Sequence, residues 1–373
     1  MSEYQYYEFQ AVDRPLDETA RGALRAISTR ARITATSFVN SYEWGDLKAD
    51  PRDLLKRHFD LFLYVANWGS RRFALRLPKH LMDLDALDSF QLDDEVVSLT
   101  VAGGHVIIDI HRDEIEAEDW DDGGGWLAAL APLRADLLAG DLRLFALLWL
   151  MGVENDWTRD EAVMPAPGLG PLTGPLAALA EFLDIDDDLL NAAAGFAPAA
   201  SESSPAEVEA AIRALKEDEK VALLRRVHDG DPHVGAELRR RCRPSPAETG
   251  TAGPSARALR AAAAAIGAAR RQAAAEREAV ERRKREQDLA TARAKRLVAV
   301  AKRGDSAWRE VEEQIALRNS VGYDRAAALL ADLGEVAATA DAQERFASRL
   351  ADLRTRHDRK GKFIERLDKA GLR

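Results

Sequence analysis

From Ser255 to Arg303 the chain runs for nearly fifty residues without proline and with one interior glycine, Gly267. Alanine, arginine, glutamate, glutamine and lysine dominate it, and all of these are strong helix formers. Proline- and glycine-marked sequence precedes it, at Pro244, Pro246, Gly250 and Gly253-Pro254. The stretch predicts one continuous helix, roughly 70 Å long at 1.5 Å per residue. A segment of this length cannot be folded back into a small core. It therefore divides the chain into what comes before and what comes after.

The division is also electrostatic. Residues 256–303 carry 14 Lys+Arg against 5 Asp+Glu, the residues before them 26 against 45, and those after them 13 against 13. A net charge of −10 thus hides a strongly basic helix between an acidic head and a neutral tail. A basic helix of this kind either attracts an anionic partner such as nucleic acid, lies against the acidic head, or is simply solvated. The cations that would serve nucleic acid are Arg270, Arg271, Arg282, Arg283, Lys284, Arg285, Arg293, Lys295 and Arg296. The helix makes a poor coiled coil. Leu259, Ile266, Ala273 and Val280 keep a seven-residue step, but the step then meets Gln287, and Glu281 to Asp288 is polar throughout.

The remaining sequence predicts an α+β fold: an N-terminal mixed or antiparallel sheet with helices on one face, followed by mostly helical structure. Four regions are expected: an α+β head at 1–164, a small helical bundle at 176–243, the long basic helix at 255–303, and helical hairpins of tetratricopeptide-like character at 304–373. In the head, Tyr4 to Val12 reads as a strand, Asp17 to Ser28 as a helix, and Ile33 to Trp44 as a second strand. Asp50-Pro51 is a helix start. Leu54, Leu55, Phe59, Phe62 and Leu63 suggest that this helix continues to about Ala66. Arg71 to Leu77 alternates as a half-buried strand. Gly103-Gly104 joins two further strands, Val96 to Val101 and His105 to His111, as a hairpin turn. In the bundle, Leu215, Val221, Leu224 and Val227 are expected to supply the apolar stripe.

Three features of the head could carry chemistry. His105, Asp109 and His111 share one face of a strand at period two, where imidazole and carboxylate could hold a divalent metal; a metal-dependent enzyme is the reading they would support, although no fourth ligand is identifiable. The alternative is the solvent face of a hairpin. Tyr42, Trp44 and Trp68 near Arg71 and Arg72 could form a ligand or peptide groove, or an ordinary aromatic core. Asp184 to Asp188 hints at a calcium loop, but Leu189 stands where glycine is needed and Gly195 where glutamate is needed, so helix capping is the better account. The glycines at 123–125 and at 168, 170 and 174 do not form a phosphate loop. No nucleophile-base spacing stands out. No cofactor is expected.

The single cysteine, Cys242, excludes an internal disulfide. The first ten residues have neither a basic nor an apolar segment of a signal peptide, and the most apolar run, Leu144 to Val153, is about half the length that spans a bilayer. A cytoplasmic protein that does not enter membranes is expected.

Trp308-Arg309-Glu310-Val311-Glu312-Glu313, Gly322 to Leu330, Phe346 to His357 and Arg366 to Leu372 together resemble the C-terminal helical tail of bacterial SWIM zinc-finger proteins over about 65 residues. That family binds zinc through a CxCx(n)CxH pattern. With one cysteine this chain lacks the zinc module, and the resemblance implies only a docking role for the tail. The head, from Tyr4 to Gly69, resembles bacterial proteins to which no activity is attached. The leading expectation is a non-catalytic interaction or scaffold protein with a protein partner. The alternative is a nucleic-acid-associated protein acting through the basic helix.

Overall fold

The computed structural model describes residues 3–93, 96–115, 121–165, 168–196, 204–242 and 253–373. Two compact units divide inside the long helix, at residues 1–269 and 270–373. The α+β expectation holds, with the strands in the first unit and the rest mostly helical.

The first unit is built on a seven-stranded sheet in which every pairing is antiparallel. Its strands are β1 (Gln5–Gln10), β2 (Arg32–Ile33), β3 (Ser37–Tyr42), β4 (Leu61–Ala66), β5 (Arg71–Pro78), β6 (Val97–Ala102) and β7 (His105–Arg112), in spatial order β2-β3-β1-β4-β5-β7-β6. The span read as one strand at 33–44 is two, β2 and β3, folded back through residues 34–36 by a hydrogen bond from Thr34 N to Ser37 O.

Helix α1 (Glu18–Ile27) starts where Asp17 accepts a hydrogen bond from Ala20 N. Helix α2 (Pro51–Arg57) starts at Asp50 with proline in its first turn, as expected. It does not reach Ala66. It stops at His58, and Leu61–Ala66 is strand β4, paired with β1 and β5. The LFLYVA run is apolar on both faces of the strand, so it shows no alternation that would separate it from a helix.

The sheet has helices on both faces rather than one. Phe9, Phe38, Phe62, Ala74 and Ile107 face Leu24 of α1 and Leu54 and Leu55 of α2. Leu63, Phe73, Leu75, Ile108 and Ile110 face the opposite way, into a larger core. That core takes in α3 (Leu84–Asp88), α4 (Trp126–Leu130), α5 (Pro132–Leu138), α6 (Arg143–Glu154), α7 (Gly174–Phe182) and α8 (Asp187–Phe196). The reason is visible in β5, where Phe73, Leu75 and Leu77 alternate with Ala74: both sides of the strand are apolar and both need cover.

Leu176, Leu179, Phe182 and Leu189 lie in the core that covers the sheet, so α7 and α8 pack with the head and not with a separate bundle. Helices α9 (Pro205–Ala214), α10 (Glu217–His228) and α11 (Val234–Cys242) follow. Ser204 and Glu207 form the capping box that opens α9. Cys242 is buried at the end of α11. Of the expected stripe on α10, Val221, Leu224 and Val227 are exposed, and the buried residue is Leu223.

Helix α12 (Ala256–Arg303) is one unbroken helix of 48 residues, as the sequence predicts. Its first turns belong to the first unit. Ala256 and Leu259 are fully buried there, and Arg260 bonds Asp160 and the carbonyls of Val153 and Thr158. Residues 253–256 are tied in before the helix begins, through a bridge from Ser255 to Val163 and a bond from Met164 N to Pro254 O.

In the second unit, α13 (Asp305–Ala316), α14 (Ser320–Thr339), α15 (Gln343–Arg356) and α16 (Gly361–Lys369) enclose a core of Val311, Ile315, Tyr323, Ala326, Leu330, Leu333, Leu350, Leu353, Phe363 and Leu367, joined by Val300 of α12. These are the apolar positions read at helical spacing. Helix α14 packs against α13, α15 and α16 alike. Among the described residues no helix is long and apolar enough to cross a membrane.

Candidate functional site

Strand β7 carries five consecutive buried residues, Val106 to Ile110, and one of them is a carboxylate. Asp109 is 3% exposed. A buried charge must be paired or it destabilises the fold, and two arginines meet this one. Arg72 approaches side-on, Nε to Oδ1 at 2.7 Å and Nη2 to Oδ2 at 2.6 Å. Arg52 donates from Nε to Oδ2 at 2.8 Å. Across the sheet Asp109 stands between Ala74 and Ser98, two small residues that leave room for both guanidinium groups. The Arg72 guanidinium also lies over the Phe62 ring, 5.5 Å from its centre.

Three elements set this geometry. Helix α2 begins at Asp50, so Arg52 lies in its first turn over the sheet. Strand β5 supplies Arg72, opposite His111 in register. Strand β6 supplies Ser98, whose hydroxyl receives Arg52 Nη2 at 3.3 Å. Together with Asp50, Val96 and His111 these residues line an open cleft of about 310 Å³. Arg52 is half-exposed and Arg72 largely covered. Among the described residues, Nη1 of neither arginine has a hydrogen-bond partner.

Burial alone would push the Asp109 carboxyl up, but the bonds and charges of Arg72, and then of Arg52, outweigh it and hold the group below the usual carboxylate range. Arg72 is correspondingly raised: its burial opposes the charge, and the Asp109 carboxylate more than compensates. An aspartate fixed in its ionised form and closed in by two cations does not serve as a proton shuttle near neutrality. The Ser98 hydroxyl accepts from Arg52 Nη2. The cleft presents the guanidinium groups of Arg52 and Arg72 beside the carboxylates of Asp50 and Asp109, on a paired scaffold.

The metal expectation fares differently residue by residue. His105, Asp109 and His111 do share a strand face, but they do not converge. His105 Nδ1 lies 3.1 Å from Gly103 O in the hairpin turn, His111 Nε2 is 3.2 Å from Asp113, and Asp109 is engaged by arginine. No group of three or more potential ligands comes together among the described residues. Nor is Asp109 on a solvent face.

The aromatic groove also separates. Arg71 and Arg72 are neighbours on one strand, so they point to opposite faces of the sheet. Arg71 lies near the Trp126 and Phe182 rings and donates to Phe182 O, on the side away from the cleft. Tyr42 packs edge-on against Tyr7 in the aromatic layer under α1 and α2. Trp44 and Trp68 are exposed, at the end of the sheet where β1 starts. Asp186 accepts from Leu189 N, which is the capping role expected of the acidic run at 184–188.

Spacing does not reveal Arg52 or Ser98. The available signal was Asp109 itself, a carboxylate inside an otherwise apolar strand, which requires cations from elsewhere in the chain. The same logic holds at a second buried network. Asp60 accepts from Val12 N and Asp13 N and pairs with Arg76, while Arg134 of α5 binds Asp13 at 2.7 Å and His233 approaches Asp13 at 3.3 Å. Burial opposes ionisation of Asp13, but the His233 and Arg134 contacts prevail and lower its pKa to about 2. This network ties α5 and the start of α11 to the sheet.

The basic residues of α12 are used unequally. Arg293 pairs with Glu335 and Arg296 with Asp332, both on α14, and Arg285 pairs with Glu281 of its own helix. Arg270 is also engaged. Arg271, Arg282, Arg283, Lys284 and Lys295 are exposed and form no ion pair among the described residues. Arg282, Arg283 and Lys284 are consecutive, so steps of about 100° spread them around the helix rather than along one stripe. No family model, no curated protein and no solved structure matches this chain.

Proposed function

We propose that this chain is a non-catalytic binding protein whose head cleft takes an anionic group, a carboxylate or a phosphate, presented by a protein partner. One observation carries the reading: Arg52 and Arg72 are held side by side by the buried Asp109 at an open polar cleft, and among the described residues Nη1 of each is unbonded. Arg52 is the residue to test, because it is half-exposed and its loss leaves the Arg72–Asp109 pair in place. Reversing its charge with Arg52→Glu should reduce recovery of the partner on the immobilised full chain by at least about tenfold, since an unmatched interfacial charge costs 2–5 kcal/mol. Equal recovery on both proteins contradicts the reading.

A second reading rests on five exposed cations of α12, Arg271, Arg282, Arg283, Lys284 and Lys295, which form no ion pair among the described residues. It has the exposed helix attract nucleic acid without reading its sequence, which suits charges spread around a helix. Titration of the full chain against duplex DNA at increasing salt should give a log–log slope between about −2 and −4, corresponding to a few phosphate contacts. A flat response, or no binding at low salt, removes this reading and leaves the first untouched.

A further inference from the structure

Helix α10 carries an apolar face that no described residue of the first unit covers. Val221 is 54% exposed, Leu224 68% and Val227 58%. The side of the helix that packs inward is marked instead by Leu223, which is buried. Exposed apolar side chains at one helical face mark a contact surface.

The pattern of α10 says what covers it. Glu217, Val221, Leu224 and His228 recur at steps of four, three and four, the spacing of a two-helix seam. Asp218 and Arg225, seven residues apart, flank the seam on one side, and Lys220 and Val227 flank it on the other. Asp218 and Arg225 are both exposed, and neither has an ion-pair partner among the described residues. The helix is acidic in its first turn and basic in its last.

We infer that α10 is a self-association surface that pairs antiparallel with α10 of a second copy of this chain. A two-fold axis between Val221 and Leu224 sets Val221 of each copy against Leu224 of the other. It brings Glu217 opposite His228 of the second copy. It also sets Asp218 against Arg225 of the second copy, twice by symmetry, so both unpaired charges find partners. A parallel pairing would instead bring Lys220 beside Arg225, two like charges, and leave Asp218 without a cation. The charge order of the helix therefore selects the antiparallel arrangement. A twelve-residue helix with two apolar layers gives a weak, concentration-dependent dimer, and not an obligate one.

Sedimentation velocity of the full chain over a range of concentrations tests this. The weight-average mass is expected to rise with concentration toward that of two chains. Leu224→Asp, at an exposed position that leaves the helix folded by circular dichroism, should hold the protein at the mass of one chain. Arg225→Asp places like charges together at both ends of the seam and should weaken association by about tenfold, as two ion pairs turn into two repulsions. Combining it with Asp218→Arg restores complementarity and should restore association. A single-chain mass at every concentration overturns the inference. So does a dimer indifferent to Leu224→Asp, or a double variant that stays as weak as Arg225→Asp alone.

Discussion

Replacing Asp109 by asparagine is expected to lower the stability of the head by about 3 kcal/mol, toward the lower end of what breaking a buried ion pair costs. Asparagine keeps the shape and loses the charge. Arg72 is then left largely covered beside Phe62 without the carboxylate that bonds it. Arg52 is half-exposed and can turn to water, which is why the loss does not reach the upper end. Hydrogen exchange of the β5, β6 and β7 amides reads the effect, because Asp109 stands between these strands in register. The dependence on pH gives an independent check. The Asp109 carboxyl is depressed in the folded protein relative to about 3.9 in an unfolded chain. Its contribution is therefore present above that value and lost as the pH falls through the folded pKa. The gap between wild type and Asp109→Asn should be constant near neutrality and close below about pH 4. A gap that persists in acid would mean that shape, and not charge, is what the substitution removes.

The second large effect is expected in the other unit. Phe363→Ala should cost about 3–5 kcal/mol, the usual range for emptying a fully buried aromatic site. Phe363 is one of two buried residues on α16, with Leu367, and its ring lies 5.7 Å from that of Tyr323 on α14. Nine residues are too few to hold a helix in water without packing. The loss therefore falls first on α16 itself, which should detach before α13, α14 and α15 open. Hydrogen exchange over residues 361–372 should rise to the rate of an unstructured segment while the α14 amides near Leu330 remain protected. Uniform loss of protection across the unit would instead make α16 part of one cooperative core.

Much of the fold is legible in residue patterns, and the exceptions have a common cause. The cap at Asp50, the Gly103-Gly104 turn, the proline-free run of α12 and the apolar spacing of α14 are local signals with a local physical origin. The error at residues 58–66 arises because Leu54, Leu55, Phe59, Phe62 and Leu63 fit a helical spacing while LFLYVA fits a strand buried on both faces, and only the neighbouring strands β1 and β5 decide between them. The second cover on the sheet is missed for the same reason. On α10 the periodicity identifies which face is apolar, but it carries no information on whether anything packs there. In the cleft, period two places Asp109 on one face with Ile107, yet the guanidinium of Arg52 comes from 57 residues away and is set by how α2 crosses the sheet.

Anion binding at the cleft can be measured without a partner. Inorganic phosphate and, separately, succinate are titrated into the full chain while the arginine Nε–H resonances and the His111 ring are followed by NMR. Saturable shifts of Arg52, Arg72 and His111 are expected, lost in Arg52→Ala, with the Arg71 resonance on the opposite face unmoved. Shifts that are absent for both anions, or that survive unchanged in Arg52→Ala, contradict anion binding at the cleft.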